Sequence, residues 1–254
     1  MKKMLSRDEI VKFGPPGFSA GQKEKDYVQH CILAFLSREG FEGEFKGGTA
    51  LQKAYGLPRY SEDLDFTLGG APAPNFEGLE KFLSSSGFGM PECTREENEI
   101  SLSAKIKVQG PLFNGFARSL CHVRMDFSKR EKPLLPFSPI LITPPYNDII
   151  PYTSKVMAPE EISAEKARAV MTRVSARDLY DLYFLARMGK LPALSLVDAK
   201  LAYYKKEFSF SEFEKSVGKL KSRWKVEIRA FAPQEVEYEA AKEKVLEAFK
   251  ELKK

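Results

Sequence analysis

Two short segments, close together in this 254-residue chain, contain its most informative pattern. They read Phe45-Lys46-Gly47-Gly48-Thr49-Ala50-Leu51 and Arg59-Tyr60-Ser61-Glu62-Asp63-Leu64-Asp65-Phe66-Thr67-Leu68. Apolar and polar residues alternate from position 63 onward, which predicts a strand whose side chains share a face at every second position. We therefore expect the polar set to project from one face and the apolar set into a core. The polar set is Asp63, Asp65 and Thr67, and the apolar set is Leu64, Phe66 and Leu68.

Asp63 and Asp65 would repel each other on such a strand. At a separation of about 6 to 7 Å, two unit charges repel by roughly 3 kcal/mol at an effective dielectric of about 20. A cation between them reverses this, and Mg²⁺ typically takes one or two carboxylates together with substrate phosphates. The turn formed by Gly47, Gly48 and Thr49 leads into a helix, whose backbone N–H groups suit phosphate. The pattern predicts Mg²⁺-assisted transfer from a nucleoside triphosphate, with Mn²⁺ as an alternative ion.

Each feature alone has an ordinary explanation, because exposed strands often carry acids and Gly and Thr are common turn and N-cap residues. The order is more specific: strand, Gly-Gly-Thr, short helix, Arg-x-Ser, then a strand with Asp-x-Asp. This order resembles the DNA polymerase β-like nucleotidyltransferase superfamily. More narrowly, the two segments resemble the AbiEii/MenT group of toxin nucleotidyltransferases from bacterial type IV toxin–antitoxin systems.

The remaining sequence predicts an α+β fold with two domains. Residues 1–153 would form a nucleotidyltransferase domain, with a mixed sheet and flanking helices. Residues 154–254 would form a helical domain, which by the family resemblance contributes Lys166 and Asp181 to the site. Periodicity predicts helices at 21–38, 49–55 and 76–85, strands at 44–46, 101–108 and 119–128, and then helices at 159–173, 176–188, 193–206, 211–229 and 234–252. Pro-rich stretches at 131–151 separate the two halves.

A second block consists of Glu165-Lys166, Ala169 and Arg173, followed by Arg177-Asp178 and Asp181. Helical spacing and ion pairing would explain these residues without any functional role. The block also resembles the second motif of the AbiEii/MenT family, so that the resemblance spans roughly residues 45–185. It implies that Lys166 contacts nucleotide phosphates and that Asp181 is needed for activity, with Arg177 or Asp178 orienting them.

Other site residues follow from the same comparison. Arg59 and Ser61, with Lys166, would neutralise the triphosphate. Asp126 lies on the polar face of the strand at 119–128, where polymerase β-like enzymes place a third carboxylate. It would bind the metal with Asp63 and Asp65 or take a proton, as Asp181 also could. The alternative is an exposed Asp126 paired with Arg124 or Lys129.

Composition excludes several other classes. The chain has 2 His and 3 Cys without metal-type spacing, which argues against a His-based zinc site or a Ser-His-Asp triad. No apolar run long enough to span a membrane occurs. The opening residues lack the apolar region of a signal peptide, and the odd number of cysteines indicates buried thiols in a reducing cytoplasm.

The net charge of +5 comes from residues 200–229, where basic and aromatic residues are interleaved. The basic residues are Lys200, Lys205, Lys206, Lys215, Lys219, Lys221, Arg223, Lys225 and Arg229. The aromatic residues are Tyr203, Tyr204, Phe208, Phe210, Phe213 and Trp224. Such a surface suits RNA; alternatively, the aromatics belong to a core and the lysines to a solvated face.

The resemblance implies transfer of a nucleoside monophosphate to RNA, with the 3′ acceptor end of tRNA as the leading acceptor, by a toxin that has a separately encoded antitoxin. Transfer to a Ser, Thr or Tyr hydroxyl of a protein is an alternative. A non-catalytic nucleotide-binding module is another. An adenylyltransferase acting on a cationic small molecule fits less well, because residues 200–229 are basic.

Overall fold

Residues 4–232 and 235–252 are described by a computed structural model of the chain. The chain divides into two units. The first comprises residues up to Tyr55, Tyr60–Pro133 and Phe137–Val156; the second comprises Gly56–Arg59, Leu134–Pro136 and the residues from Met157 onward. The outer bounds of the predicted domains, 1 and 254, and the predicted helix start at 234 lie outside the described residues.

Seven strands of the first unit form one mixed sheet within the described part of the chain. They are β1 (Glu44–Lys46), β2 (Leu64–Thr67), β3 (Gly89–Glu97), β4 (Ser101–Gln109), β5 (Cys121–Ser128), β6 (Ser138–Ile142) and β7 (Tyr152–Val156). Their order is β3-β4-β5-β2-β1-β7-β6. The pairs β2/β5 and β1/β7 are parallel, and the others are antiparallel. The predicted α+β class with a mixed sheet is confirmed.

The helices of the first unit begin at polar capping residues. They are α1 (Arg7–Phe13), α2 (Ala20–Arg38), α3 (Gly47–Tyr55) and α4 (Phe76–Ser85). Ser6 and Ser19 form capping boxes at α1 and α2, and Asn75 caps α4. These side chains satisfy N–H groups that have no partner inside the helix. The capped starts therefore set where α1, α2 and α4 begin.

An aromatic cluster forms the core beneath the central strands. The rings of Phe66 and Phe127 stack with centroids 5.1 Å apart and an interplanar angle of 11°. Phe45 lies 5.3 Å from Phe66 on its other side. All three side chains are at most 1% exposed. Because these residues come from β1, β2 and β5, their packing holds together the three strands that carry the acidic residues.

The second unit is helical in its described part. Its helices are α5 (Pro159–Thr172), α6 (Ala176–Arg187), α7 (Leu194–Ala202), α8 (Phe210–Lys219), α9 (Lys221–Phe231) and α10 (Tyr238–Glu251). Pro159 and the acidic Glu160 and Glu161 occupy the first turn of α5, where a missing N–H and negative charge are favourable. Phe213 and Phe249 pack with ring centroids 4.7 Å apart and join α8 to α10.

Lys200 does not belong to the basic surface predicted for residues 200–229. It is 1% exposed, and its Nζ donates to Glu161 Oε1 at 2.6 Å and to Glu165 Oε1 at 3.2 Å. Glu161 also accepts the backbone N–H groups of Leu134 and Leu135. A buried ammonium group requires such partners, so Lys200 is part of the interior.

The aromatic residues of that region divide between the interior and the surface. Phe213 and Trp224 are buried, whereas Tyr203 and Tyr204 are exposed. The core interpretation therefore holds for two of the aromatics.

One prediction about secondary structure is wrong, that of a single helix at 211–229. Residues 131–151, predicted only as Pro-rich stretches between the halves, contain β6, which pairs with β7. Pro139 is tolerated because β6 is an edge strand, where one N–H is not needed by the sheet. The single helix predicted at 211–229 is interrupted at Leu220, whose N–H donates to Val217 O. Gly218, a weak helix former, precedes this tightened turn.

No helix among the described residues is long and apolar enough to cross a membrane.

We expect Phe66→Ala to lower the free energy of unfolding by about 3 to 5 kcal/mol, because it leaves a cavity between two packed rings. Chemical denaturation of the purified protein would measure this. The control is Phe116→Ala, since Phe116 is 62% exposed; its change should stay within about 0.5 kcal/mol. Equal changes in the two variants would contradict the packing described here.

Candidate active site

Three charged side chains form a row across the centre of the sheet. Lys46 of β1 is the register partner of Asp65 of β2, and Asp65 is the partner of Asp126 of β5. Residues directly opposite each other on neighbouring strands project to the same face. Asp63 immediately precedes β2 and is exposed. The first unit thus places Asp126 beside Asp65 on the polar side of the sheet.

The polar face of β2 becomes buried towards the end of the strand. Thr67 is 1% exposed, as Phe66 is on the opposite face. Asp65 is half-buried and Asp63 is exposed. The polar side of the segment is therefore accessible at Asp63 and Asp65, and not at Thr67.

The glycine turn approaches the Asp65 carboxylate closely. Gly47 has φ +73°, a conformation that favours glycine, and a Cβ at this position would lie 2.4 Å from Asp65 Oδ2. Helix α3 begins at Gly47, and Gly48 and Thr49 follow in its first turn. The first N–H groups of a helix have no partner within it. A glycine at position 47 is therefore required for the carboxylate to lie beside a helix N-terminus.

The Thr49 hydroxyl contacts the acidic segment from within. The side chain is fully buried and donates a hydrogen bond to the backbone carbonyl of Asp63. Thr49 thereby connects the first turn of α3 to the residue that precedes β2.

Negative charge accumulates around Asp63. Although Asp63 as a whole residue is exposed, partial burial of its carboxyl group raises its pKa, and the charges of Glu62 and Asp126 raise this pKa further. Arg124 lies on the same side, and its Nε is 2.9 Å from Asp126 Oδ2. The hydrogen bond to Asp126 raises the pKa of Arg124, as do the charges of Asp126, Asp63 and Asp65. The Arg124 pairing considered for Asp126 is thus present in the structure.

The acidic residues fit a divalent ion that is also held by substrate. Carboxylate oxygens are hard ligands, and Mg²⁺ is commonly bound by one or two of them with phosphate oxygens. Across residues 4–232 and 235–252, no group of three or more His, Cys, Asp and Glu side chains is arranged to hold a metal ion. Asp63 and Asp65 offer two carboxylates of this kind.

Sequence reasoning assigned no role to Lys46. Its side chain is 8% exposed, and Nζ lies 3.4 Å from Glu131 Oε2. Its position just before Gly47 could have indicated a role in the site. The residue that precedes the turn must lie beside Asp65 once β1 pairs with β2. Glu131 carries no comparable signal, because it follows β5 in an irregular segment.

The second unit contains a cluster of alternating charges. Arg59 clamps Asp181 through two hydrogen bonds, Nε to Oδ1 at 2.6 Å and Nη2 to Oδ2 at 2.7 Å. Lys166 Nζ lies 2.7 Å from Asp181 Oδ2 and 3.0 Å from Asp178 Oδ1. Arg173 clamps Asp178 in turn, at 2.8 and 2.9 Å. The structure thus brings together Arg59, Lys166 and Asp181, which the sequence had singled out.

Burial makes these pairings strong. Asp181 is 0% exposed and Lys166 is 8% exposed. Burial alone would raise the pKa of Asp181, but the charges of Arg59 and Lys166 hold it below its ordinary value. Burial would likewise lower the pKa of Lys166, but the charges of Asp181 and Asp178 raise it. Both groups are therefore ionised at neutral pH.

Two other residues named from the sequence have different surroundings. Ser61 is 8% exposed, and its backbone N–H donates to Gln52 Oε1 at 3.0 Å. The guanidinium carbon of Arg177 lies 4.7 Å from the ring centroid of Phe231.

Comparison with a family model gives one match. The model described as nucleotidyl transferase AbiEii toxin, type IV toxin–antitoxin system, matches residues 32–252. The match confirms the resemblance seen in the sequence and extends it beyond residues 45–185. No curated protein matches the chain.

Two solved structures share the fold. JHP933 from Helicobacter pylori is 21% identical with a TM-score of 0.65, over 92% of this chain and 93% of that one. MenT4, a nucleotidyltransferase toxin from Mycobacterium tuberculosis H37Rv, is 21% identical with a TM-score of 0.64, over 98% of this chain and 90% of that one. At this level of identity the likeness establishes the fold.

We expect Asp181→Asn to lower the free energy of unfolding by about 3 to 5 kcal/mol at pH 7, because it leaves Arg59 and Lys166 short of a buried partner. The folded-state pKa of Asp181 is lowered, so this stabilisation is present above the unfolded-state value near about 3.9 and is lost as the pH falls through the folded-state pKa. Urea denaturation from pH 7 down to pH 2 should show a gap between the two proteins that is constant above about pH 5 and narrows as the pH falls below about 3.9. Asp8→Asn, at an exposed position, should match the parent throughout; a gap for Asp181→Asn that stays constant down to pH 2 would refute the ionic explanation.

Proposed function

The chain belongs to the AbiEii family of nucleotidyltransferase toxins of type IV toxin–antitoxin systems, and on this premise we propose that it transfers a nucleoside monophosphate from an NTP to an RNA hydroxyl. The acceptor we propose is the 3′ end of tRNA. The supporting observation is the placement of Asp65 beside both Asp126 and the turn at Gly47, where no side chain fits.

In the proposed reaction, the acceptor hydroxyl oxygen attacks the α-phosphorus of the NTP. A new P–O bond forms, the bond to the β-phosphate oxygen breaks, and pyrophosphate leaves with that electron pair. The first turn of α3, at Gly47 and Gly48, offers N–H groups to the triphosphate. Asp63 and Asp65 would hold Mg²⁺, or Mn²⁺ in its place, which when bound offsets the negative charge of the phosphates and the leaving group.

Asp126 and Asp181 are the two candidates to accept the hydroxyl proton. The Asp126 side chain is 35% exposed, whereas Asp181 is enclosed by Arg59 and Lys166. A general base must reach the proton that it removes. We therefore assign proton acceptance to Asp126, and we assign to Asp181 the holding of Arg59 and Lys166.

Lys166 is proposed as the phosphate contact of the second unit, and Arg59, which is 2% exposed, as a second positive charge beside it. The family resemblance gives Lys166 this role, and both side chains are ordered by shared carboxylates. Lysine presents a compact charge suited to phosphate oxygens. Ser61, whose backbone is held by Gln52, is the remaining proposed nucleotide contact.

A row of exposed basic residues on α9 is the proposed RNA contact. Lys221, Lys225 and Arg229 are spaced four residues apart, which places them about 6 Å apart along one side of the helix. Trp224 and Ile228 face the interior on the other side. Lys221 pairs with Glu239 on α10. Such a row suits the regular negative charge of a nucleic acid backbone.

Two further assignments follow from the family. A toxin of a type IV system implies a separately encoded antitoxin, which we propose as a partner. We propose the cytoplasm as the site of action, in agreement with the buried, unpaired thiols of Cys31 and Cys121.

We expect Asp65→Asn to reduce nucleotidyl transfer by about 100-fold or more, because one of the two carboxylates proposed to hold Mg²⁺ at the reacting phosphate is lost. The assay incubates purified protein, Mg²⁺ and each α-³²P-labelled NTP with tRNA, and follows the label on a gel. Asp8→Asn, which changes an exposed carboxylate outside the site, is the matched control. Label that is removed by nuclease supports RNA as the acceptor. Label that only protease removes, or parental transfer by Asp65→Asn, would overturn the proposal.

We expect Lys225→Gln combined with Arg229→Gln to weaken RNA binding and to make the negative slope of log K against log salt concentration shallower by about 2, since each lost phosphate contact removes roughly one unit from its magnitude. Filter binding of tRNA over a range of salt concentrations would measure the slope. Lys12→Gln combined with Lys81→Gln removes the same charge from other exposed positions and should leave the slope unchanged. Equal slopes for both double variants would remove α9 from the RNA-binding surface.

A further inference from the structure

We propose that Gln29 and Gln52 are positioning residues of the active site, which hold the segment Ser61–Asp63 so that Asp63 and Asp65 are presented beside the glycine turn. This inference rests on the proposed function, because it concerns the carboxylates assigned to the metal ion. Side chains of α2 and α3 form four hydrogen bonds with the backbone of this segment.

Gln29 lies on α2 and is 0% exposed. Its Nε2 donates to the carbonyl oxygen of Ser61 at 3.1 Å and to that of Glu62 at 2.8 Å. Residues 60–63 form no strand or helix, so their carbonyl groups need partners from elsewhere. One buried amide therefore supplies both donors to two successive peptide groups just before Asp63.

Gln52 lies on α3, and both the oxygen and the nitrogen of its side-chain amide form hydrogen bonds. Oε1 accepts the N–H of Ser61 at 3.0 Å, and Nε2 donates to Asp26 Oδ1 at 3.0 Å. Asp26 also accepts from Lys53 Nζ at 2.7 Å and from the Tyr146 hydroxyl at 3.0 Å. Through Asp26, α2 holds the helix that begins at the glycine turn.

Thr49 completes the set by donating to the carbonyl of Asp63. Side chains of α2 and α3 thus bind the N–H and C=O of Ser61 and the C=O groups of Glu62 and Asp63. Groups behind metal ligands commonly set the position of those ligands. Gln29 is enclosed, so its effect on the site must pass through the backbone that it holds.

The test compares Gln29→Met with the parent chain. Methionine has a similar size but no donor, so the Ser61 and Glu62 carbonyls lose their shared partner. We expect Mn²⁺ to bind about 10- to 100-fold more weakly, as measured by titration calorimetry with Mn²⁺ in the presence of a non-hydrolysable NTP analogue. Hydrogen–deuterium exchange in the peptide covering residues 60–67 should become faster. Raising the Mn²⁺ concentration should restore most of the turnover at a temperature where the variant is fully folded, so that lost stability does not account for the change.

Val28→Ala is the matched control, since Val28 is buried in the same helix and makes none of these hydrogen bonds. It should reduce the melting temperature without changing Mn²⁺ affinity. Gln52→Met is the second variant, used if Gln29→Met does not fold, and the same changes are expected of it. This inference alone would be overturned if the parent binds Mn²⁺ and transfers nucleotide while the glutamine variants keep the parent's Mn²⁺ affinity and exchange rates. A parent chain that neither binds Mn²⁺ nor labels an acceptor would overturn the proposed function, and this role with it.

Discussion

The approach of Gly47 to Asp65 is the constraint on which the rest of the arrangement depends. A carboxylate can lie against the start of a helix only where the backbone leaves room for it, and a Cβ at position 47 would come within 2.4 Å of Oδ2. Pairing of β1 with β2 sets this approach, and pairing of β2 with β5 sets Asp126 beside Asp65. The aromatic rings beneath the three strands therefore determine, indirectly, where charge accumulates above them.

The carboxylates of the two units have different surroundings. In the first, Asp65 is half-buried and Asp63 is exposed, and partial burial of the Asp63 carboxyl group, together with nearby negative charge, raises the pKa of Asp63. In the second, Asp178 and Asp181 are enclosed and surrounded by cations, which lower their pKa values. Carboxylates of the first kind can be reached from solvent, whereas those of the second kind hold other side chains in place. This difference is in keeping with the different roles proposed for the acidic residues of the two motifs.

Much of the sheet could be predicted because side chains alternate strictly in strands whose one face is buried. β5 shows this, with Val123, Met125 and Phe127 inward. β3 could not be predicted in this way, because most of its side chains are exposed and no apolar alternation marks it. The interruption at Leu220 was also missed, since buried Phe213, Val217 and Trp224 keep a spacing that one continuous helix would satisfy.

Only part of the site could be predicted from the sequence. Asp63, Asp65 and the glycine turn are marked by their local spacing, and their placement depends on neighbouring strands alone. The hydrogen bonds that hold residues 61–63 have no such local sequence pattern, because Gln29 lies among the apolar residues of α2 and contacts a segment more than thirty residues away. A glutamine facing solvent would give the same local pattern. Long-range polar contacts of this kind become visible only when the fold is known.

The cluster in the second unit has one further consequence. Arg59, Lys166 and Arg173 carry three positive charges, while the carboxylates that they share, Asp178 and Asp181, carry two negative ones. Counted over these five side chains, the group has a formal surplus of one positive charge, and the side chain of Arg173 is 63% exposed. A bound anion would offset that surplus and leave the existing pairs in place, in keeping with the phosphate contact proposed for Lys166.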